Sequence, residues 1–187
     1  DFVKRVPATV ASAAPAHMDS LMACKYNGTE DTVTQQQQEM VLVIGENIKV
    51  RRFARYAEGV SVPYVHAGGK IGVLVNLETS LAPEQVTELG KNIAMQIAAL
   101  NPRFWDKSQV TQEVLDEEKK VMMAQMENDP KMANKPEQVR EKIVMGKLNK
   151  FYAENCLLQQ DFVRSDVFEG SVEAYIAATA KKLGGTI

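Results

Sequence analysis

The sequence predicts an α+β fold in which antiparallel strands are covered by helices. Between residues 48 and 77, apolar and polar residues alternate in three runs, a pattern typical of strands with one buried face. An amphipathic helical pattern follows from Pro83, and two longer helical patterns joined by a short polar link come after it. The strands therefore have a helix to cover them, and the two long helices are expected to pack antiparallel.

The N-terminal part predicts three helices. Apolar residues recur at helical spacing in residues 2–14, although Pro7 removes one backbone hydrogen bond from a helix there. A short second helix is expected to run through Ala23, and residues 26–29 have the composition of a turn. Gly45 is placed to end the third helix, because glycine tolerates a left-handed cap.

The three alternating runs predict an antiparallel meander. The first run starts at Ile48 and loses its alternation at residues 52–53, which suggests a bulge. The second covers residues 60–66 and the third covers residues 71–77. Their short connections favour antiparallel pairing with one buried face.

The C-terminal half is dominated by helical patterns. Pro83 is a strong candidate for the first residue of the helix that covers the sheet. The long helices are expected at about 109–126 and from about Pro136, and Gly146 inside the second predicts a close approach of two helices. A last helix is expected over residues 171–182.

Composition limits the class of protein. With 22 basic and 24 acidic side chains, the formal charge of -2 argues against nucleic acid as the main partner. Cys24 and Cys156 lie too far apart for a metal or redox motif, which favours reduced thiols in a cytoplasmic protein. No apolar run approaches the ~20 residues of a membrane span, so no membrane partner is expected. The chain also starts without methionine, and we expect a fragment cut at both ends.

Catalytic and metal-binding motifs are not recognisable. His17 and His66 are the two histidines, and neither belongs to an H-E-x-x-H pattern or has ligands at metal spacing. No G-x-S-x-G elbow is present. A cysteine–histidine nucleophile pair stays open, although only two residues of each type are available. We therefore expect no enzyme active site, no cofactor and no metal.

The glycine pair in "YVHAGGKIGVLV" invites two interpretations, a phosphate-binding loop or a hairpin turn. A Walker loop ending in Gly69-Lys70 needs glycine at 64 and Ser or Thr at 71, where this chain has Tyr64 and Ile71. A phosphate loop also precedes a helix, whereas this one precedes a strand pattern. Residues 67–70 therefore predict a hairpin connection.

His66 stands at the end of the second predicted strand, beside this turn. An isolated histidine in such a position is most often a solvent-facing or hydrogen-bonding residue. A contact at a protein interface is the alternative, and the residue pattern alone leaves both open.

Six blocks of the chain, in order, resemble bacterial elongation factor Ts. They cover most of residues 44–184 and read "IGENIKVRRFARY", "YVHAGGKIGVLV", "GKNIAMQIAALNP", "VLDEEKKV", "KPEQVREKIVMGKLNKFYAENCLLQQDFV" and "YIAATAKKLGG". The N-terminal part matches only by helix pattern and length. The resemblance implies guanine-nucleotide exchange on elongation factor Tu, by protein binding and without an active site of its own.

The resemblance also implies a domain organisation. The core is expected to be an α+β unit with small antiparallel sheets, into which a coiled-coil-like antiparallel helical hairpin is inserted. Residues 1–103 would form the first part of the core, residues 104–160 the hairpin, and residues 161–187 the return to the core. The hairpin is also a possible dimerisation module, which gives the alternative function: a stand-alone structural or dimerising protein without exchange activity.

Contacts to elongation factor Tu are implied at positions that match the family's motifs. His66 matches the histidine of a Y-x-H hairpin motif, and Lys91 and Asn92 match contact positions in the "KNIAM" helix. Val163 and Arg164 match a contact segment after the hairpin, where the residue type at Arg164 is variable.

The start of the chain departs from the family pattern. Family members carry a Thr-Asp-Phe-Val segment that disturbs the magnesium and phosphate site of the GTPase, and Asp1-Phe2-Val3 resembles it. A second, helical stretch of similar sequence is the other match and is preferred here. On that preference Phe2 is a core residue, and the exchange segment and a strand after Gly185 lie outside the chain.

Overall fold

The structure is a computed structural model that describes the backbone of residues 1–187 and every side chain except that of Ala133. Across these residues it has eight α-helices and a two-stranded antiparallel sheet, which confirms the predicted α+β class. The chain divides into two compact units, Asp1–Ala57 and Glu58–Ile187. The predicted domain boundaries after residues 103 and 160 stay a prediction. None of the described helices is both long enough and apolar enough to cross a membrane.

The first unit contains the three predicted helices. They are α1 Phe2–Ala13, α2 Met18–Ala23 and α3 Val33–Ile44. The start of α3 is capped reciprocally, since Thr32 accepts from the Gln35 amide while the Gln35 side chain accepts from the Thr32 amide. Gly45 ends α3 with a φ of 77°, as predicted.

The core of the first unit forms between its helices and the turn after α2. Its buried members are Val6, Val10, Leu21, Tyr26 and Val33. Phe2 lies in the first turn of α1 and stacks on Tyr26 with ring centroids 5.7 Å apart. This placement agrees with the helical, core-packing interpretation of the first residues.

The predicted first strand is not formed, so the three-stranded meander is wrong. Residues 46–57 contain neither helix nor strand. The Val50 amide donates to the side-chain oxygen of Gln37 in α3 at 3.0 Å, and Val50 and Phe53 pack on the core of the first unit. The apolar residues at alternating positions are therefore buried by helices, without a neighbouring strand.

The sheet of the second unit consists of β1 Val60–His66 and β2 Ile71–Leu77, as predicted for the second and third runs. The register pairs Val60 with Leu77 and His66 with Ile71. One face packs on α4 Pro83–Leu100, which starts at the predicted proline. The buried residues of this layer are Val62, Val75, Leu77, Val86, Leu89, Ile93 and Ala94.

Two long helices pack side by side after α4. They are α5 Gln112–Glu127 and α7 Glu137–Asn155, with the short α6 Pro130–Ala133 between them. Met126 near the end of α5 packs near Val144 early in α7, so the pair is antiparallel, as predicted. The predicted role of Gly146 is wrong, because a Cβ built there would meet no atom within 4 Å.

The last helix, α8 Val172–Leu183, returns to the sheet layer. The Ser171 hydroxyl caps it by accepting from the Ala174 amide at 3.2 Å. Val172 and Tyr175 belong to the same core cluster as the buried sheet residues. The sheet, α4 and α8 therefore form one packed layer structure.

A candidate partner-binding surface

His66 lies at the exposed end of β1, where it forms the closing pair of the hairpin with Ile71. Its Nδ1 shares a hydrogen bond of 3.0 Å with the hydroxyl of Tyr64, and the two rings stack with centroids 5.9 Å apart. Residues two apart in a strand point to the same face. Tyr64 is half-buried against the core, so it holds His66 in place, and Nε2 takes no part in their hydrogen bond.

The connection that follows is a tight turn and has no geometry for phosphate. Ala67, Gly68 and Gly69 all have positive φ, of 50°, 65° and 95°. The chain then enters β2 directly, so no helix N-terminus points at the glycines. The hairpin prediction is confirmed, and the conformation explains why glycine occupies the two central positions.

Helix α4 carries the second predicted pair, and its two members face opposite ways. Lys91 is exposed. Asn92 is only 4% exposed, and its Nδ2 donates to the Tyr175 hydroxyl of α8 at 2.9 Å. In this conformation the Asn92 side chain therefore joins α4 to α8.

Close packing at Gly90 sets the distance between α4 and the sheet. At Gly90, one residue before Lys91, an added Cβ would lie 2.5 Å from Cγ2 of Val62 in β1. The absence of a side chain at this position allows the helix to touch the strand that ends in His66. The two predicted contact sites on β1 and α4 thus share one packed interface.

A buried amide network fixes the third predicted contact segment. Gln96 of α4 is fully buried, and its Oε1 accepts from the Val163 amide at 2.8 Å. Its Nε2 donates to the Asp161 carbonyl at 3.0 Å and to Oε1 of Gln160 at 3.1 Å. The side-chain Nε2 of Gln160 in turn donates to the Glu154 carbonyl at 2.9 Å. Every polar group of the two buried side chains is satisfied.

Val163 and Arg164 are thereby displayed on an anchored segment. Phe162, between the network and Val163, is buried and stacks on Tyr175 with centroids 4.2 Å apart. Val163 is 43% exposed. Arg164 forms a forked pair with Asp166, donating from Nε at 2.9 Å and from Nη2 at 2.6 Å.

The Arg164–Asp166 pair also has an electrostatic signature. The hydrogen bonds from Arg164 lower the pKa of Asp166, and the same bonds raise the pKa of Arg164. A carboxyl group with a lowered pKa stays ionised as the pH falls, until the pH reaches that lowered pKa. The pair is therefore intact at neutral pH, and a partner would meet an arginine already oriented by its neighbour.

The structure brings the three segments together on one element. Helix α4 packs on the strand of His66, carries Lys91 and binds the backbone before Arg164. The supporting residues Gln96 and Gln160 were not predicted from the sequence. The one available signal was a polar residue at a position of α4 where the helical period predicts an apolar, buried side chain.

Neither a metal centre nor a nucleophilic Cys156 is supported among the described side chains. No group of three or more His, Cys, Asp or Glu among them could hold a metal ion. Cys156 is buried, and burial raises the pKa of its thiol, with the charge of Asp106 adding to the effect. A thiol in that setting is poorly suited to act as a nucleophile.

Comparisons with known proteins point to a single family. The family model described as Elongation factor TS matches residues 1–187. The elongation factor Ts of Syntrophotalea carbinolica is 42% identical over 166 residues, which are 87% of this chain and 54% of that protein. That of Trichlorobacter lovleyi is 39% identical over 194 residues, and that of Clostridium kluyveri 36% over 191. These two alignments include 100% of this chain and 60% of each relative. The chain therefore spans little more than half the length of these curated relatives.

Proposed function

The chain belongs to the elongation factor Ts family, and on that premise we propose that it acts in translation elongation by binding elongation factor Tu and promoting guanine-nucleotide exchange. The proposal treats the chain as a protein-binding module. On this proposal the chain catalyses no bond-making or bond-breaking step in a substrate, so it is not an enzyme in the chemical sense.

Exchange follows from linkage between two binding events. A protein that binds the nucleotide-free GTPase more tightly than the GDP-bound form must weaken GDP binding by the same factor. Couplings of this kind are typically about 1–3 kcal/mol, or roughly 5- to 150-fold in affinity. The factor therefore needs a surface that is already arranged for one state of its partner.

The observation that carries the proposal is the common support of the predicted contact segments by α4. His66 is fixed by Tyr64, and the segment of Val163 and Arg164 is fixed by Gln96. A surface ordered before binding loses less side-chain and loop entropy when it meets a partner. This preorganised surface therefore supports the proposed role in protein binding.

A titration of elongation factor Tu with the chain tests the proposal. We expect His66→Ala to weaken binding about tenfold, which corresponds to ~1.4 kcal/mol. The matched control is Val65→Ala, which changes the next residue on the opposite face of the same strand, where Val65 is 68% exposed. Unchanged affinity in His66→Ala would remove that residue from the interface.

Release of a fluorescent GDP analogue gives the second measurement. We expect the wild-type chain to accelerate release from elongation factor Tu only weakly, because its first residues match the helical stretch and not the exchange segment. His66→Ala should require a higher concentration for the same effect, and full exchange activity of the wild-type chain would contradict the preferred match of Asp1-Phe2-Val3. No acceleration at concentrations that saturate binding would show that the chain binds without exchanging. That result would reject the exchange function while leaving the partner in place.

A homodimer through the hairpin helices is the second proposal. Its support is the apolar surface that these helices leave exposed, at Val121, Val139 and Met145, which are 45%, 40% and 62% exposed. Light scattering against concentration tests it. A mass that stays at 20.7 kDa over the whole range would reject it.

A further inference from the structure

The connection between α3 and β1 concentrates positive charge on the first unit. We name residues 46–57 the basic connection. It has four basic side chains against one carboxylate, although the whole chain has a formal charge of -2. All four cations are exposed, namely Lys49, Arg51, Arg52 and Arg55.

The basic connection is anchored from beneath. Val50 and Phe53 pack on the core of the first unit, and the Val50 amide donates to Gln37 at 3.0 Å. Because these two positions face inward, the adjoining cations Lys49, Arg51 and Arg52 are held outward. The charges are thus displayed on a fixed segment, which lowers the entropy lost when a ligand binds.

These cations are available to a ligand. The seven ion pairs formed by described side chains involve none of the four. Three of them are arginines, whose planar fork matches phosphate oxygens. Tyr56 follows Arg55 directly and is 51% exposed, which offers a flat surface on which an unpaired base can stack.

We propose that the basic connection binds single-stranded RNA, with its cations on the phosphates and Tyr56 against a base. Total charge argued against nucleic acid as the main partner, but binding depends on where the charge lies. The choice of RNA over DNA rests on the proposed function in translation. The site shares no residue with the candidate surface for elongation factor Tu.

Fluorescence anisotropy with a labelled twelve-nucleotide oligouridine tests the proposal on the whole chain. Affinity for single strands falls with salt at a logarithmic slope of roughly -0.7 per phosphate contact. Three to four contacts predict a slope of about -2 to -3, so doubling the salt should weaken binding roughly four- to sevenfold. A slope near zero would overturn the proposal.

A charge-neutralised variant and its control locate the site. Changing all four cations to glutamine should weaken binding at least tenfold. The control changes four exposed lysines that form no ion pair with a described side chain, Lys131, Lys142, Lys181 and Lys182, to glutamine, and should stay within twofold of wild type. Equal losses in both variants would show a net-charge effect and overturn the site. Thermal melts of each variant confirm that it folds.

Two further arms identify the ligand. Tyr56→Ala should weaken binding about fivefold, the lower end of ~1–3 kcal/mol for base stacking, while Tyr56→Phe should retain it. A polyglutamate peptide that displaces the RNA at equal charge concentration would overturn RNA in favour of an acidic protein. Tenfold tighter binding to the matching DNA strand would overturn RNA in favour of DNA.

The two proposals fail separately. The RNA titration contains no GTPase, and the four-glutamine variant can be assayed with elongation factor Tu. RNA binding without GTPase binding would refute the proposed function alone. GTPase binding with no RNA binding would refute the basic connection alone.

Discussion

Replacing Gln96 with methionine tests the network that holds the third predicted contact segment. The two side chains have similar size, but methionine removes all three hydrogen bonds of the buried amide. At about 1 kcal/mol of net stability for each bond, the loss is ~3 kcal/mol. The Gln160 oxygen, left buried without this donor, can add a further ~1–3 kcal/mol.

Urea unfolding followed by circular dichroism measures this cost. With a slope of about 2 kcal/mol per molar urea, a loss of ~3 kcal/mol lowers the midpoint by roughly 1.5 M. The matched control is Gln138→Met in α7, an exposed glutamine for which the same chemical change should shift the midpoint little. A shift of under ~0.5 M for Gln96→Met would show that the network contributes little and would refute the reasoning.

Three other predictions address separate parts of the chain. Gly90→Ala should cost about 1–3 kcal/mol by forcing α4 off the strand, measured as a lower melting temperature; an unchanged melt would contradict the close approach. At pH 8, Cys24 should react with a thiol reagent well before Cys156, whose buried thiol has a raised pKa; equal rates in the folded chain would contradict its burial. Asn92→Ala should weaken binding of elongation factor Tu in the wild-type background but add little to Tyr175→Phe; an equal effect in both would show that Asn92 contacts the partner directly.

Much of the fold could be predicted because its signals are local. Pro83 marks the start of α4, and Gly45 marks the end of α3. The alternation of apolar and polar residues in 60–66 and 71–77 predicts both strands. The short α6, Pro130–Ala133, was not predicted, because Pro130 follows Asn128-Asp129 and was interpreted only as part of the signal that ends α5. Proline and glycine signals therefore locate the ends of long helices well, but they do not reveal a short helix between two long ones.

The false strand at residues 48–53 shows what local signals cannot give. Alternation records which side chains are buried, and it does not record what buries them. At Val50 the backbone amide finds its acceptor in the Gln37 side chain, a contact 13 residues away that no pattern within the segment encodes. The same limit hid Gln96, whose partners lie more than 60 residues further along the chain.

The common support on α4 separates two kinds of residue in the candidate interface. Lys91 and His66 are exposed, so their substitution should change affinity while the melting temperature stays the same. Asn92 and Gln96 are buried and act by fixing other residues, so their substitution should lower both together. Because α4 supports all three segments, a substitution on its buried face that destabilises the helix should also shift predicted contact residues that the substituted residue does not touch. Affinity and stability measured side by side on these four positions therefore distinguish contact from support.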